Sequence, residues 1–190
     1  MGRRSAPLPL FLPRLPAQDW KTVAYKDLIR AGVPTRPGVL SLMDEARRAG
    51  LKVAVCSAAT KDACVFQLQA LLGKERFDSL DCFLAGDDVP RLKPDPLIYT
   101  TAAAKLGVSP AEVIVIEDSE VGLQAATKAG MKTIITYHSG TRGQPFAGAW
   151  SVVADLSGVT LARLAKGEVV ADDRLPDKKV PGYVHAQARL

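Results

Sequence analysis

Residues 113–131 read VIVIEDSEVGLQAATKAGM, and this stretch indicates the fold class. It opens with four β-branched apolar residues and no polar interruption, which is typical of a strand buried on both faces of a parallel sheet. The segment 120–129 has the pattern of an amphipathic helix, and Gly130 is the residue type that most readily adopts the left-handed conformation at a helix end. The stretch therefore predicts a strand followed by a crossover helix, the repeating unit of an α/β fold.

The same unit recurs on both sides of this stretch. Short apolar runs predict further strands at 52–57, 81–85, 132–136 and 151–154. Helical patterns, each followed at once by glycine, occur at 39–49, 61–72, 97–106 and 120–129. A further helix is predicted at 19–31, before the linker 34–37, and a loose polar tail from residue 166 onward. We therefore expect an α/β protein with a Rossmann-like, mostly parallel sheet.

The composition excludes several classes of protein. The chain has 190 residues, of which 47% are hydrophobic and 24% charged, and this excludes a disordered or fibrous protein. The net charge of +5 suggests nucleic-acid binding, but residues 1–18 hold three arginines and no acid, whereas residues 19–165 hold 17 basic and 16 acidic residues. Because this leaves no basic face on the body of the chain, we expect no nucleic-acid partner.

Other simple classes are excluded by particular residue types. No run of about 18 apolar residues is present, so we expect no membrane span. The three cysteines lack CxxC spacing and only two histidines occur, which argues against a disulfide framework and a zinc site. The remaining expectation is a soluble enzyme or binding domain in a reducing compartment.

Ligands of open α/β sheets bind beyond the carboxyl ends of the strands, so the residues after each predicted strand are candidates for chemistry. After the first strand, Ser57 leads through Ala58 into a helix. A hydroxyl and free backbone N–H groups at a helix N-terminus can bind an anion. The alternative is that Ser57 or Thr60 only caps that helix.

The residues after the second and third strands offer charged groups. Lys93 lies between Leu92 and two prolines, in a loop stiff enough to hold an ammonium toward a phosphate, although a loop lysine is commonly just solvated. Glu117 and Asp118 end the third strand. Two adjacent carboxylates there suit a hard cation such as Mg²⁺, and the alternative is that Asp118 or Ser119 caps the next helix. A hydroxyl, a lysine and an acid pair at one sheet edge would suit phosphoryl transfer.

Three motifs carry a family resemblance. Ser57 at the end of VAVCS, Lys93 in LKPDP and Glu117-Asp118-Ser119 in VIEDSEVGLQAATKAGM resemble motifs II, III and IV of the haloacid dehalogenase superfamily. They are closest to its β-phosphoglucomutase and CbbY-like branch of sugar-phosphate phosphatases and mutases. The stretches RPGVLSLMDEARRAGLKVAVCSAATK and ERFDSLDCFLAGDDV are similar to plant and algal chloroplast members. The resemblance covers residues 19–165.

The resemblance implies a role for each motif residue. Ser57 and the Ala58 N–H would bind the transferring phosphate, and Lys93, as a catalytic residue, would bridge phosphate and nucleophile. Asp118 and Glu117 would hold Mg²⁺. The complete family member forms an aspartyl-phosphate and hydrolyses it, so the expected ligand is a small phosphorylated metabolite, in particular a sugar phosphate.

One family motif has no counterpart in the chain. The family's first motif, DxDGT, supplies the aspartate nucleophile and the general acid/base, but no Asp-x-Asp occurs anywhere in the 190 residues. We therefore expect a core without its first strand and without most of its helical cap. The predicted division is an unrelated leader (1–18), a cap remnant with linker (19–34), the core (35–165) and a polar tail (166–190).

Two interpretations follow from the missing motif. The chain is either a truncated, inactive form of a phosphatase or a non-catalytic phosphate-binding or interaction module. Either way we expect a monomer without a nucleophile of its own. The resemblance to plastid members, together with an arginine-containing and acid-free leader, implies a chloroplast location, and the alternative is the cytoplasm.

Overall fold

The computed structural model describes Gly32 and residues 34–168, in which helices and short strands alternate as the apolar pattern predicts. The strands are β1 (Ala54–Cys56), β2 (Cys82–Leu84), β3 (Ile114–Glu117), β4 (Lys132–Thr136) and β5 (Ser151–Val153). The helices are α1 (Val39–Arg48), α2 (Lys61–Leu72), α3 (Lys74–Asp78), α4 (Leu97–Leu106), α5 (Glu120–Lys128) and α6 (Leu161–Ala165). The predicted helix at 19–31, the leader and most of the polar tail lie outside the described residues.

The predicted elements are confirmed within one or two residues. Helices α2 and α4 have the predicted bounds, and each observed strand lies inside its predicted run. Two helices, α3 and α6, were not predicted. Each is only five residues long, which is too short for an apolar period to be recognised.

All strand pairs are parallel, but the strands form two sheets. β1 pairs with β2, with Ala54 opposite Cys82 and Cys56 opposite Leu84. The second sheet has the order β3-β4-β5. We expected one sheet; among the described residues β1 and β3 are not hydrogen-bonded to each other, so each leaves one edge unpaired. That the chain lacks the family's first strand stays a prediction.

Helices cover both faces of the larger sheet at β4. On one face, α5 packs on β3 and β4, and its Leu123 lies in one buried cluster with Ile135 of β4. The helix α4 packs mainly on β1 and β2 of the smaller sheet. On the other face, Ile134 and Val153 pack with residues of α1 and α6. Burial on two faces explains why β4 is an apolar run rather than an alternating one.

The covering is less complete at β3. Val115 is buried, whereas its neighbours Ile114 and Ile116 are 37% and 38% exposed. Side chains alternate between the faces of a strand, so the two isoleucines share the face opposite to Val115. An apolar strip therefore remains open on β3.

One arginine ties the chain before α1 to the carboxyl ends of two strands. The Arg36 guanidinium donates to the carbonyls of Thr136 (2.6 Å), Tyr137 (2.6 Å) and Ala154 (2.7 Å), at the ends of β4 and β5. These carbonyls lie at the last residue of β4 and directly after β4 and β5. The planar guanidinium of Arg36 has several N–H donors and can bond to all three. The start of α1 is thus fixed at the same sheet edge as the candidate site.

No helix in the described part of the chain has the length and apolar character that a bilayer crossing requires.

Candidate active site

Lys93 lies at the centre of the site, between the carboxyl ends of β1 and β3. Its Nζ donates to the Cys56 carbonyl (3.1 Å) and forms an ion pair with Oε1 of Glu117 (2.5 Å). Both charged side chains are only 9% exposed. The interpretation of Lys93 as a solvated loop lysine is therefore wrong. One buried ammonium spans the ends of two strands that belong to different sheets.

The loop that carries Lys93 is held by its own hydrogen bonds. The Asp95 carboxylate accepts from the Leu97 N–H (2.9 Å) at the start of α4 and pairs with Arg91 (2.6 Å). The Lys93–Pro94 peptide bond is cis. Asp95 thus links the loop to the start of α4, and its two contacts hold the loop that carries Lys93.

Tyr99 is a site residue that the sequence analysis missed. It lies on the first turn of α4 and is buried, and its hydroxyl accepts from Lys93 Nζ (2.9 Å) and donates to Glu117 Oε1. Its ring centroid lies 4.6 Å from the ammonium. Burial, followed by the negative charge of Glu117, raises the pKa of Tyr99, so the phenol stays protonated. Its only sequence signal was an apolar helix position six residues after Lys93, which by itself indicates packing.

Both carboxylate oxygens of Glu117 have partners within the protein. Oε1 contacts Lys93 and Tyr99, while Oε2 accepts from the Asp118 N–H (3.1 Å) and from Ser119 Oγ (3.4 Å). Burial pushes the pKa of Glu117 upward, but the charge of Lys93 and these hydrogen bonds outweigh burial and hold the pKa below its ordinary value. Glu117 is therefore an anion whose first partner is a lysine.

Asp118 differs from its neighbour in being open to solvent. Its side chain is 54% exposed, and Nε2 of the His138 imidazole lies 3.8 Å from the carboxylate. Ser119 caps α5, because its side chain accepts a hydrogen bond from the Gly122 N–H (3.2 Å). The alternative that one of these residues caps the helix is therefore confirmed for Ser119 and not for Asp118. The Asp118 carboxylate remains open to another ligand.

The acid pair fits Mg²⁺ through one of its members. Mg²⁺ in proteins commonly takes one or two carboxylates and completes its shell with water and phosphate oxygens. Asp118 offers an exposed carboxylate of this type, whereas both oxygens of Glu117 are already engaged. The described residues contain no cluster of three or more His, Cys, Asp or Glu that could hold a metal. The exposed Asp118 carboxylate thus suits a cation whose other ligands are phosphate oxygens and water. That Glu117 is also a direct ligand stays a prediction.

The predicted anion site after β1 keeps a free donor. The Ser57 N–H pairs with the Leu84 carbonyl (2.9 Å) and its hydroxyl accepts from the Ala59 N–H (3.2 Å), so Ser57 closes a tight turn. The N–H of Ala58 has no hydrogen-bond partner among the described residues. This N–H and the Ser57 hydroxyl remain as donors for an anion.

The N-terminus of α2 is capped from another loop. Neither Ser57 nor Thr60 caps it; instead Asp87, after β2, accepts from the Lys61 N–H (3.1 and 3.2 Å). An acid near a helix N-terminus also neutralises the positive end of the helix dipole. The anion site therefore relies on Ser57 and Ala58 rather than on the start of α2.

Gly86 lets the two loops approach each other. Its N–H donates to the Ala59 carbonyl (2.8 Å), and a Cβ at this position would lie 2.5 Å from the Ala58 carbonyl oxygen. Only glycine fits this approach. The loop after β2 thus fixes the turn in which the Ala58 N–H has no partner among the described residues.

The remaining candidates keep structural roles. All three cysteines are free, Cys64 and Cys82 are buried, and burial raises the pKa of Cys56 to about 12. His138 is half-exposed, and its Nδ1 accepts from the Gly140 N–H (3.0 Å). Of the predicted site residues, Lys93 and Glu117 contact each other directly. Ser57 lies beside them, because it follows Cys56, whose carbonyl accepts a hydrogen bond from Lys93.

Comparisons with known proteins point to one family. The sequence model described as "haloacid dehalogenase-like hydrolase" matches residues 12–130. The Arabidopsis thaliana protein "Haloacid dehalogenase-like hydrolase domain-containing protein At4g39970" is 60% identical over 148 residues, which cover 77% of this chain. The aligned part is 47% of that relative, so the chain spans about half the relative's length.

Solved structures show the same likeness. CbbY from Rhodobacter sphaeroides in complex with phosphate superposes with a TM-score of 0.72 at 32% identity, covering 86% of this chain and 73% of that one. A point mutant of that protein in complex with xylulose-1,5-bisphosphate superposes with a TM-score of 0.71, also at 32% identity, covering 89% and 73%. Both likenesses therefore extend over most of this chain.

Proposed function

This chain belongs to the haloacid dehalogenase-like hydrolases, and from this we propose that it carries the phosphate- and metal-binding part of a Mg²⁺-dependent phosphatase for a small phosphorylated metabolite. The observation that carries the proposal is the buried Lys93 ammonium, held at once by the end of β1 and by Glu117 at the end of β3. A buried lysine with such an anchor is placed to meet a phosphate beside Ser57.

The chain's own residues would bind and orient the phosphate. The Ala58 N–H and the Ser57 hydroxyl would donate to its oxygens, and Lys93 would add positive charge where negative charge develops during transfer. Glu117 fixes the position of Lys93 through the 2.5 Å ion pair. Binding and charge neutralisation are therefore the contributions that these residues can make.

Asp118 is the residue proposed to hold Mg²⁺. Its exposed carboxylate lies beside Glu117, at the end of the same strand. When bound, Mg²⁺ would neutralise charge on the phosphate oxygens. We propose Asp118 as the exposed ligand, and Glu117, which also contacts Lys93, stays the second proposed ligand.

We propose a sugar phosphate as the substrate class of the full family member. Support comes from CbbY of Rhodobacter sphaeroides, whose solved complexes contain phosphate and xylulose-1,5-bisphosphate. The phosphate contacts proposed above do not distinguish one sugar phosphate from another. The test is therefore a panel of sugar phosphates rather than one compound.

The 190-residue sequence by itself is proposed to be inactive. Transfer by the family's mechanism needs a carboxylate in line with phosphorus and an acid for the leaving oxygen, and no Asp-x-Asp is present to supply them. This absence also favours a second candidate, a non-catalytic module that binds a phosphorylated ligand. The two candidates predict the same phosphate contacts and differ only in turnover.

Hydrolysis assays separate the candidates. We would measure turnover of p-nitrophenyl phosphate and sugar phosphates with Mg²⁺, using this chain and a form extended upstream to include a DxDGT motif. Activity in the extended form, lost in Lys93→Ala and Asp118→Asn, would support the enzyme. Activity in neither form, with phosphate binding retained, would support the module. Turnover by the 190-residue chain itself would overturn its proposed inactivity.

We propose a chloroplast location on the strength of the plant relative and the resemblance to plastid members. Import of the radiolabelled chain into isolated chloroplasts, followed by protease treatment, tests this. Complete digestion of the chain by the added protease would contradict it.

A further inference from the structure

The Tyr99 hydroxyl contacts both members of the buried ion pair. It accepts a 2.9 Å hydrogen bond from Lys93 and donates to Oε1 of Glu117, the same oxygen that pairs with Lys93. Its ring lies 4.6 Å from the ammonium. The three side chains form a closed triangle of contacts.

The hydrogen bonds of Lys93 are all in use. An ammonium has three N–H donors, and three acceptors surround it, namely the Cys56 carbonyl, the Tyr99 hydroxyl and the Glu117 carboxylate. A phosphate oxygen can therefore be bound by Lys93 only if one of these bonds is given up. The question is which acceptor is released at the least cost.

Releasing Lys93 from the Glu117 carboxylate or from the Cys56 carbonyl would be costly. The bond to Glu117 is charge-assisted and the shortest of the three, at 2.5 Å. The main-chain bonds between β1 and β2 use the Val53 carbonyl and the Ser57 N–H, so alternation turns the Cys56 carbonyl toward the opposite edge. Lys93 is the partner of that carbonyl among the described residues, and releasing it would leave a main-chain acceptor unpaired.

Tyr99 loses least by releasing Lys93. Its hydroxyl remains hydrogen-bonded to Glu117 as a donor, so no polar group is left without a partner. We propose that Tyr99 is a positioning residue with an exchangeable bond: it holds the Lys93 ammonium between β1 and β3 until a phosphate oxygen takes over that N–H. The inference rests on the proposed phosphate site and adds to it the residue that keeps the site in order when it is empty.

Tyr99→Phe tests the exchange. The variant keeps the ring beside Lys93 but removes the acceptor, so phosphate binding no longer breaks a hydrogen bond. We expect the affinity for inorganic phosphate, titrated with a fixed excess of Mg²⁺, to rise about two- to tenfold. A residue with only a structural role would leave the affinity unchanged or lower it. The matched control is Tyr137→Phe, which removes a buried tyrosine hydroxyl from a different apolar cluster and should leave the affinity unchanged.

A spectroscopic measurement on the wild type covers the case in which Tyr99→Phe does not fold. The ring carbon bearing the hydroxyl of Tyr99, labelled with ¹³C, should shift on addition of phosphate because its bond from Lys93 is lost. Phosphate binding without this shift, or an affinity that is equal or lower in Tyr99→Phe, would overturn the exchange while leaving the proposed function intact. If neither wild type nor Tyr99→Phe binds phosphate, both the proposed site and the exchange are wrong.

Discussion

Gly122 on the first turn of α5 provides the space that the Glu117 carboxylate occupies. A Cβ at Gly122 would lie 2.0 Å from Glu117 Cδ and 2.1 Å from its Oε2. A helical glycine normally costs about 1 kcal/mol relative to alanine. Here glycine is required because the Glu117 carboxylate, which pairs with Lys93, occupies the space that a Cβ would fill.

Gly122→Ala should therefore destabilise the protein, although alanine favours helix. The new methyl group would displace Glu117, and we expect overpacking to outweigh the gain in helix propensity, with a net loss of about 1–3 kcal/mol. Urea unfolding measures the loss. Thr127→Ala, at an exposed position of the same helix, is the control and should have little effect. A more stable Gly122→Ala would show that Glu117 has another place to go.

The losses of stability from removing Lys93 and Glu117, the two members of the buried ion pair, should not add up. Lys93→Met leaves Glu117 without its cation, and Glu117→Gln leaves Lys93 without its anion; each should lose about 3–5 kcal/mol. In the double variant neither charge remains, so the loss should be clearly smaller than the sum. Chemical denaturation of the four forms gives the coupling energy. Additive losses would mean that the 2.5 Å contact contributes no coupling.

Arg36 should be important for stability. Arg36→Ala would remove three side-chain hydrogen bonds to main-chain carbonyls at the ends of β4 and β5, so we expect it to cost about 2–3 kcal/mol. Arg36→Lys should recover only part of this, because a single ammonium cannot reproduce the planar fork. Arg163→Ala, at a half-exposed surface position, serves as the comparison in thermal melts. Equal melting temperatures for the two alanine variants would contradict the expectation.

The cysteines should be inert in the folded protein. Burial raises the pKa of Cys56 to about 12, and Cys64 and Cys82 are buried. At pH 8 only about one Cys56 side chain in ten thousand would be the reactive thiolate. We expect no fast reaction with Ellman's reagent before urea is added and three thiols afterwards. A rapidly labelled Cys56 would indicate that the fold around β1 opens readily.

The surface ion pair Asp44–Arg76 should make the stability of the folded protein depend on pH in the acidic range. Hydrogen bonding from Arg76, against a smaller effect of burial, lowers the pKa of Asp44 from 3.8. A carboxyl whose pKa is lowered on folding contributes stability above its unfolded pKa, and this is lost as the pH falls through the folded value. The advantage of wild type over Asp44→Asn should thus be present at neutral pH, begin to fall near the unfolded pKa of about 4, and vanish as the pH falls through the lower pKa of the folded state. Melting curves of both forms across this range test the sign.

Much of the fold could be predicted from local sequence. The runs of β-branched residues and the helical patterns closed by glycine indicated strands and helices within one or two residues, because both signals depend on neighbours along the chain. The motif residues Ser57, Lys93 and Glu117 were likewise identifiable from their positions after predicted strands. Among the described residues, the short helices α3 and α6 were not predicted, because five residues are too few to show an apolar period.

Which groups these residues meet depends on tertiary packing. The partners of Lys93 come from β1, α4 and β3, and the cap of α2 comes from Asp87, 26 residues away from Lys61. Such pairings depend on how distant elements pack, and no local pattern distinguishes Tyr99 from an ordinary core tyrosine. The elements and the chemical types at the sheet edge thus follow from the amino-acid sequence alone. That Lys93 is buried with every donor in use follows only from packing, because burial and hydrogen bonding are properties of the assembled fold.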